Sequence, residues 1–403
     1  MSVASPGSTI VGTVLVPGGS LQHAVVRVDD GRIAAVAREP TDETVRALTR
    51  DPAVVFLSRG DVLAPAFVDV HCHGAGGGSA HGDAASLRQM ALTLMAHGVG
   101  AFLATTMTAP LPSLRAAAGE VARLQSQQRQ AAQQPLPQQP HATTPQAELL
   151  GLHLEGPVLS PVRSAGHDQS ALLSPLRLER ALAIAPLDRR VVRVVTLAPE
   201  LEGGLQLVRH LAAAGIAASL GHTDADDTMM SAAYAAGARS TTHLFNGMPP
   251  LHHRSPGPVG AALASAPFIE LLCDGLHVAN RLLAPLARAI GEERLILVSD
   301  ALPLAGSRRR RISLPGISVH VEGERAVDAD GNLAGSRLLL DEMVANAVRQ
   351  GVPLATALRA ATENPARMLR LADRGVIEVG AVADLVVVSA RGRLKRVLAG
   401  ARS

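Results

Sequence analysis

Several residue types are scarce or missing in this chain of 403 residues. It has no Trp, one Tyr and five Phe, and its only lysine is Lys395. Proteins that bind single-stranded nucleic acids stack bases on aromatic side chains beside a basic groove. The net charge of +3 is small, and the one dense basic run, Arg308 to Arg311, is interpreted as a solvated loop. The composition therefore argues against a nucleic-acid-binding protein.

Cysteines and long apolar runs are also scarce. Cys72 and Cys273 are the only cysteines, and their positions do not have the spacing of a metal site. The N-terminus lacks the pattern of a secretory signal, and no run approaches the roughly 18 apolar residues of a membrane helix. We therefore expect a protein of the cytoplasm that has no disulfide and no membrane partner.

The two ends of the chain differ from its middle in the pattern of apolar and turn-forming residues. Residues 1–62 and 374–403 contain short β-type segments broken by Gly, Asp and Pro, which predict a small β-sandwich domain formed by both termini. Residues 63–373 are expected to form a second domain. Within it, residues 119–147 become rich in Gln and Pro and predict a flexible insertion.

The second domain alternates apolar β-branched runs with Ala- and Leu-rich stretches of helical period. Eight such units predict a closed (β/α)8 TIM barrel. The predicted strands are 67–71, 101–106, 149–155, 191–197, 216–222, 240–246, 269–274 and 294–300.

Five of these strands carry a metal-type ligand or an acid at or near their C-terminal ends. The active site of a TIM barrel lies at this end of the barrel, on side chains from different strands. In the His-x-His of the first strand, residues i and i+2 face the same side, so both rings can reach one ion. Imidazole and carboxylate ligands suit Zn²⁺, Fe²⁺, Mn²⁺ or Co²⁺, and the sequence does not distinguish among these metals. The residues concerned are His71, His73, Glu155, His222, His243 and Asp300.

The order of several longer motifs resembles one enzyme family. From roughly residue 60 to residue 370 the chain is similar to the N-acetylglucosamine-6-phosphate deacetylases of the amidohydrolase superfamily, and HLEGP and THLFNGMPPLHHR are the most specific blocks. The motifs are APAFVDVHCHGAGG, GLHLEGPVLSPVRSAGHD, SLGHTDAD, TTHLFNGMPPLHHRSPGPVGAAL, CDGLHVAN, VSDALPLAG, GNLAGSRLLLDEMVANAV and ENPARML.

This resemblance implies a set of metal ligands. Glu155, His222 and His243 would bind the essential divalent ion, and His71 with His73 would hold a second ion. Many amidohydrolases that bind two ions bridge them with a carboxylated lysine. Lys395 lies in the predicted terminal β-domain, so Glu155 is the carboxylate expected to take that place.

The resemblance also implies the roles of the remaining site residues. Asp300 would be the general acid and base, and His167 would polarise the acetamide carbonyl. The sugar phosphate would be held by Asn246, Gly247, Arg254 and His277, with part of the site supplied by a neighbouring subunit of a homodimer. No role follows for His252 and His253, which are taken as structural.

Some segments depart from the family pattern and leave more than one function open. The loop after HLEGP reads PVRSAGHD without lysine, and Ser255 stands where a Glu usually follows HHR. These departures concern the sugar, so N-acetylgalactosamine 6-phosphate is an alternative substrate. An amidohydrolase that acts on a cyclic amide and a non-catalytic sensor of sugar phosphates also stay open as interpretations of the sequence.

Overall fold

A parallel barrel forms the centre of the molecule. A computed structural model of the chain describes residues 2–4, 8–133, 144–184 and 187–400. In it, eight strands pair in chain order, each parallel to the next. Barrel strands 1 to 8 are Phe67–Cys72, Val99–Thr106, Glu148–Glu155, Val192–Leu197, Ala217–Leu220, Ser240–Thr241, Phe268–Leu271 and Leu295–Leu297.

The segment after barrel strand 8 closes the barrel against barrel strand 1. The backbone N–H of Asp300 donates to the carbonyl of His71 at 2.9 Å, and Cys72 forms a parallel bridge with Ala301. Apolar side chains fill the interior below this closure, among them Val70 and Val298. The closure therefore places the end of the last strand beside the end of the first.

Helices lie between the barrel strands, and several of them have well-defined caps. Asp83 caps the helix Ala84–Ala96 by accepting from the N–H of Ser86, and Gly215 ends a helix in the left-handed conformation. The helices between strands are Ala84–Ala96, Leu111–Gln133, Pro175–Leu182, Gly204–Ala214, Asp227–Ala235, Gly257–Ser265 and Asn280–Ile290. Leu340–Arg349, Leu354–Ala361 and Glu363–Met368 follow the last barrel strand, and a single 3-10 turn covers Gln169–Ala171.

Strands from both termini form a second sheet. In spatial order it contains Ser2–Ala4, Leu394–Gly400, Leu385–Ser389, Asp61–Pro65, Thr9–Val16, Ser20–Asp29 and Arg32–Arg38, and Val54–Phe56 also pairs with Thr9–Val16. A short helix, Asp42–Leu48, connects two of these strands. The sheet has its own apolar core, which includes Ile10, Val26 and Leu385. The predicted fold class, a TIM barrel with a small β-domain from both ends, is confirmed, whereas the exact domain bounds stay a prediction.

Three further segments adjoin this framework. An antiparallel sheet of Arg311–Leu314, Ile317–Glu322 and Arg325–Val327, which the sequence did not indicate, follows the last barrel strand. A two-stranded hairpin pairs Gly74–Ala75 with Gly78–Ser79. In the predicted insertion, residues up to Gln133 continue the helix Leu111–Gln133, whereas residues 134–143 lie outside the described residues.

Two expectations concern features other than the fold. Cys72 and Cys273 are both buried as free thiols, as expected. Within the described ranges, the helices are too short or too polar to span a lipid bilayer.

Candidate active site

The candidate ligands collect at the C-terminal mouth of the barrel. Glu155 is the last residue of barrel strand 3 and His71 lies within barrel strand 1. The later strands are shorter than predicted, so His222, His243 and Asp300 follow their strands by two or three residues. All five side chains are at least nine-tenths buried, so the mouth forms an enclosed polar cluster.

Three of these residues have left-handed backbones. His222, His243 and Asp300 have φ values of 47°, 25° and 46°, which non-glycine residues rarely adopt. In each case the strand has already ended, and the candidate residue lies in the loop that follows it. Such strain concentrates at functional sites, where the surrounding structure maintains it.

The carboxylate of Glu155 lies at the centre of the cluster. Its two oxygens approach the Nε2 atoms of five imidazoles, at 3.5 Å for His71, 3.1 Å for His73, 3.6 Å for His167, 3.2 Å for His222 and 2.9 Å for His243. His71 and His73 also lie 3.5 and 3.2 Å from Asp300 Oδ1. The structure thus brings together every residue for which a ligand or acid–base role was predicted.

Hydrogen bonds on the far side of two rings fix their tautomers. Nδ1 of His73 lies 3.0 Å from the carbonyl of Thr105, and Nδ1 of His222 lies 2.8 Å from the carbonyl of Arg163. A carbonyl only accepts, so both Nδ1 atoms carry the proton. In neutral rings, the Nε2 lone pairs then point at the oxygens of Glu155.

Lone pairs directed at a carboxylate repel it unless a cation lies between them, and the distances suit a metal ion. Two ligands about 2.1 Å from an ion at the tetrahedral angle are about 3.4 Å apart. His222 and His243 have their Nε2 atoms 3.1 Å apart. Two groups with metal-type spacing share Glu155, namely His71 with His73 and His167 with His222. The donor set therefore fits one or two divalent ions.

The charges in this cluster are strongly coupled. Burial alone would lower the pKa of His73, but the carboxylates of Asp300 and Glu155 outweigh it and raise this pKa to about 9. Burial would raise the pKa of Asp300, but His71 and His73 lower it to about 2. Asp300 is therefore an ionised carboxylate at neutral pH.

His167 differs from the other imidazoles of the site. Burial lowers its pKa to about 3, and the neighbouring His222 adds to this effect. Its Nδ1 accepts from the N–H of Thr108 at 3.4 Å, while its Nε2 lies 3.3 Å from Nε2 of His222. His167 is thus a neutral ring whose Nε2–H faces the cluster.

The predicted sugar-phosphate residues lie in different settings. Burial would lower the pKa of His277, but Asp274, 2.6 Å from its Nδ1, raises it, so the ring is more easily charged. Asn246 donates its side-chain amide to the carbonyls of His243 and Leu244 and its backbone N–H to His243, which stabilises the turn after barrel strand 6.

Gly247 and Arg254 follow in the same loop. Gly247 has φ of 62°, and a Cβ there would lie 2.6 Å from Nδ1 of His222. The tight approach that requires glycine is thus to a candidate ligand. Arg254 is exposed, and its guanidinium lies 3.0 Å from Nε2 of His253. The described contacts do not join it to the ligand cluster.

Sequence reasoning missed two buried residues behind the ligands. His153 lies two positions before Glu155, bonds to Val70 and Thr196, and packs edge-on against His71. Glu270, on barrel strand 7, contacts Nδ1 of His71 at 3.1 Å. The only sequence signal was a charged or polar residue inside an apolar strand, and that pattern does not reveal which ligand the residue supports.

Comparisons with known proteins identify the family of this chain. The model of the amidohydrolase family matches residues 62–400. The N-acetylgalactosamine-6-phosphate deacetylase of Escherichia coli O157:H7 is 37% identical over 88% of each chain. The N-acetylglucosamine-6-phosphate deacetylase of Bacillus subtilis is 36% identical over 92% of this chain and 89% of its own.

A solved structure extends the similarity to the whole fold. A mutant of the N-acetyl-D-glucosamine-6-phosphate deacetylase of Mycobacterium smegmatis, in complex with N-acetyl-D-glucosamine-6-phosphate, superposes with a TM-score of 0.83. It is 30% identical in sequence, and the match covers 98% of both chains. Both domains of the present fold therefore have counterparts in that enzyme.

Proposed function

Since the chain belongs to the amidohydrolase family, and within it to the N-acetylglucosamine-6-phosphate deacetylases, we propose that it deacetylates N-acetylglucosamine 6-phosphate. The products are glucosamine 6-phosphate and acetate, and the reaction belongs to amino-sugar metabolism. The observation that carries the proposal is the cluster of imidazoles around Glu155 at the barrel mouth. The proposed location is the cytoplasm, because a charged sugar phosphate does not cross membranes unaided.

The proposed ligands fall into two groups. Glu155, His222 and His243 would hold the essential ion, and His71 and His73 would hold a second ion on the other side of Glu155. A divalent ion, when bound, supplies Lewis acidity that lowers the pKa of a water ligand to about 7 and polarises a carbonyl. Zinc, iron, manganese and cobalt all suit these donors.

Asp300 is the proposed proton carrier. Its carboxylate is ionised at neutral pH, so it can take a proton from the attacking water and later give it to the leaving amine. Its Oδ1 lies 3.2 Å from Nε2 of His73, which places the carboxylate at the edge of the proposed ion site. A general acid or base must lie within hydrogen-bonding distance of the proton that it transfers, and a carboxylate beside the proposed ion site meets that condition for a water bound there.

His167 is the proposed donor to the acetamide carbonyl. Its low pKa means that it acts as a neutral N–H donor rather than as a cation. Since its Nε2 faces His222 and Glu155, a carbonyl oxygen beside the proposed ion could accept from it. A fixed donor of this kind stabilises the negative charge that develops on the oxygen.

The phosphate is proposed to bind His277, Arg254 and the Asn246–Gly247 turn. The raised pKa of His277 favours its charged form near an anion. Arg254 is exposed, and within the described residues it has no acidic partner. An exposed arginine of this kind suits a homodimer in which each subunit completes the phosphate site of the other.

A second candidate substrate is the galactosamine epimer. The relative from Escherichia coli O157:H7 is named an N-acetylgalactosamine-6-phosphate deacetylase, and its identity to this chain is similar to that of the glucosamine-type relative. The metal cluster and Asp300 would serve both epimers equally. The two substrates therefore need a direct comparison.

Acetate release from the metal-loaded protein tests both candidates. We would measure kcat/KM with N-acetylglucosamine 6-phosphate, N-acetylgalactosamine 6-phosphate and unphosphorylated N-acetylglucosamine. The proposal expects the first substrate to be preferred and the unphosphorylated sugar to be poor. Preference for the galactosamine epimer would select the second candidate, and no acetate release from either phosphate with ions bound would refute both.

A further inference from the structure

A buried glutamate behind the ligand cluster has no role in the function proposed above. Glu270 lies on barrel strand 7, within the apolar run FIELLC, and its side chain is fully buried. Burying a carboxylate is costly unless nearby groups compensate its charge. The residue therefore requires an explanation from its surroundings.

The contacts of Glu270 reach ligands of both proposed ion sites. Its Oε2 lies 3.1 Å from Nδ1 of His71 and accepts from the backbone N–H of His243 at 3.3 Å. Its Oε1 has no hydrogen-bond partner among the described residues. One ring contact and one backbone N–H serve only one of the two carboxylate oxygens, and a divalent ion held by His71 would supply positive charge nearby.

The contact with Glu270 determines which nitrogen of His71 faces the cluster. A carboxylate oxygen accepts from a ring N–H, so Nδ1 of His71 is the donor to Glu270 and Nε2 is the nitrogen available to a metal ion. That Nε2 has no hydrogen-bond partner among the described residues. It lies 3.5 Å from both Glu155 Oε1 and Asp300 Oδ1, where a ligand atom of the second ion would lie.

His71 also differs from the other ligands whose tautomer is fixed. His73 and His222 donate to backbone carbonyls, which are neutral. His71 donates to a carboxylate, and a carboxylate behind a histidine ligand makes the ring a stronger donor to a metal. The negative charge of Glu270 thus acts through His71 on the ion that His71 would bind.

We propose that Glu270 is a positioning residue for the second ion, holding His71 in the orientation and tautomer that allow Nε2 to bind the metal. The inference rests on the metal-dependent function proposed above. It predicts two ions per chain, of which the ion at His71 and His73 depends on Glu270. The ion at Glu155, His222 and His243 should depend less on Glu270. Among these three ligands Glu270 bonds only to His243, and there to the backbone N–H and not to the ring.

Metal binding by two variants tests the proposal. Glu270→Gln keeps an oxygen acceptor but loses the charge, and Glu270→Met loses both. We would count cobalt ions per chain by mass spectrometry of dialysed protein and measure the affinity of each ion by competition with a chelator. Loss of such a supporting residue typically weakens metal affinity about 10- to 100-fold, so we expect this loss for the second ion in Glu270→Met, with Glu270→Gln in between.

A matched control is provided by Asp69. This carboxylate is also fully buried and lies two residues before His71, but it contacts the hydroxyl of Ser299 and the backbone of His71, not the ring. Asp69→Asn should therefore keep both ions. If it loses the second ion as readily as Glu270→Met does, the effect is a general response to the loss of a buried charge, and the proposal is overturned.

A double-mutant comparison identifies the path of the effect. In a His71→Ala background, Glu270→Met should leave the remaining ion unchanged, because its proposed action runs through His71. Further loss of metal there, a wild-type protein with one ion, or unchanged affinity in Glu270→Met would each overturn the proposal. These readouts need no substrate, so failure of acetate release in a protein with two ions would refute the proposed function but not this inference.

Discussion

Replacing Asp300 with Asn changes the chemistry of the site with little change in its shape. Asn has the same size as Asp, and it is among the residues that tolerate a left-handed backbone such as the φ of 46° at this position. The backbone bonds from Asp300 to His71 and from Ser336 to Asp300, at 2.9 and 2.8 Å, do not involve the side chain. The variant should therefore keep the barrel closed.

The expected loss is in turnover. Asparagine cannot accept a proton from water, and a positioned acid or base contributes about 10²- to 10⁴-fold to rate. At 1.36 kcal/mol per tenfold, this corresponds to about 3–5 kcal/mol in the activation free energy. The proposed phosphate contacts are made by other residues, so KM should change little.

The measurement must separate chemistry from metal loss, because Asp300 lies 3.2 Å from Nε2 of His73. We would follow acetate release from N-acetylglucosamine 6-phosphate and normalise it to the ions bound per chain. Asp226→Asn is a matched control, since Asp226 caps a helix and Asn is an equally good cap. Loss of a proton carrier should lower kcat at least about 10²-fold. If Asp300→Asn kept more than about a tenth of the wild-type kcat with its ions bound, Asp300 would not be the proton carrier.

Three other substitutions test separate parts of the reasoning. Arg254→Ala should raise KM for the phosphorylated substrate about 10- to 100-fold with kcat nearly unchanged, because a hydrogen bond to a charged group contributes about 1.5–3 kcal/mol; an unchanged KM in steady-state kinetics would instead favour a hydrolase of cyclic amides. Gly247→Ala places a Cβ 2.6 Å from Nδ1 of His222 and should displace this proposed ligand, so the bound metal measured after dialysis should fall. Full metal content would show that close packing of Gly247 on His222 is not needed for metal binding. The hydrogen bond to Asp341 raises the pKa of His97. The His97–Asp341 pair therefore stabilises the folded state fully at pH values below the ordinary pKa of histidine. This stabilisation is lost as the pH rises through the raised pKa of His97. Urea unfolding should show Asp341→Asn destabilised by up to about 1 kcal/mol at pH 5.5 and by less at pH 9, whereas equal losses at both pH values would assign the effect to packing.

The parts of the site that follow from strand position could be predicted from the sequence. The His71-x-His73 spacing relies only on the period of a strand, and the placement of Glu155 relies on its position at a strand end. In the structure both histidines lie within 3.5 Å of Glu155. The same logic predicted eight barrel strands in the correct order, because apolar β-branched runs alternate with helical stretches along the chain.

Other parts depend on contacts between distant segments. The later barrel strands end early, because the chain turns at His222, His243 and Asp300 with a left-handed backbone, which residue type alone does not indicate. The carbonyls that fix the tautomers come from Thr105 and Arg163. A carbonyl has the same chemistry in every residue, so only the fold identifies which carbonyls act.

The closure of the barrel couples the position of Asp300, the proposed acid and base, to the proposed second ion site at His71. The backbone N–H of Asp300 bonds to the carbonyl of His71, while its side chain lies 3.5 Å from the ring of the same residue. One residue thus joins the last strand to the first and brings its carboxylate to the proposed ion. A change that breaks this contact between the first and last strands would displace the proposed proton carrier and the proposed ligand His71 together. The stability of the closure and the geometry of the proposed chemistry therefore depend on the same few atoms.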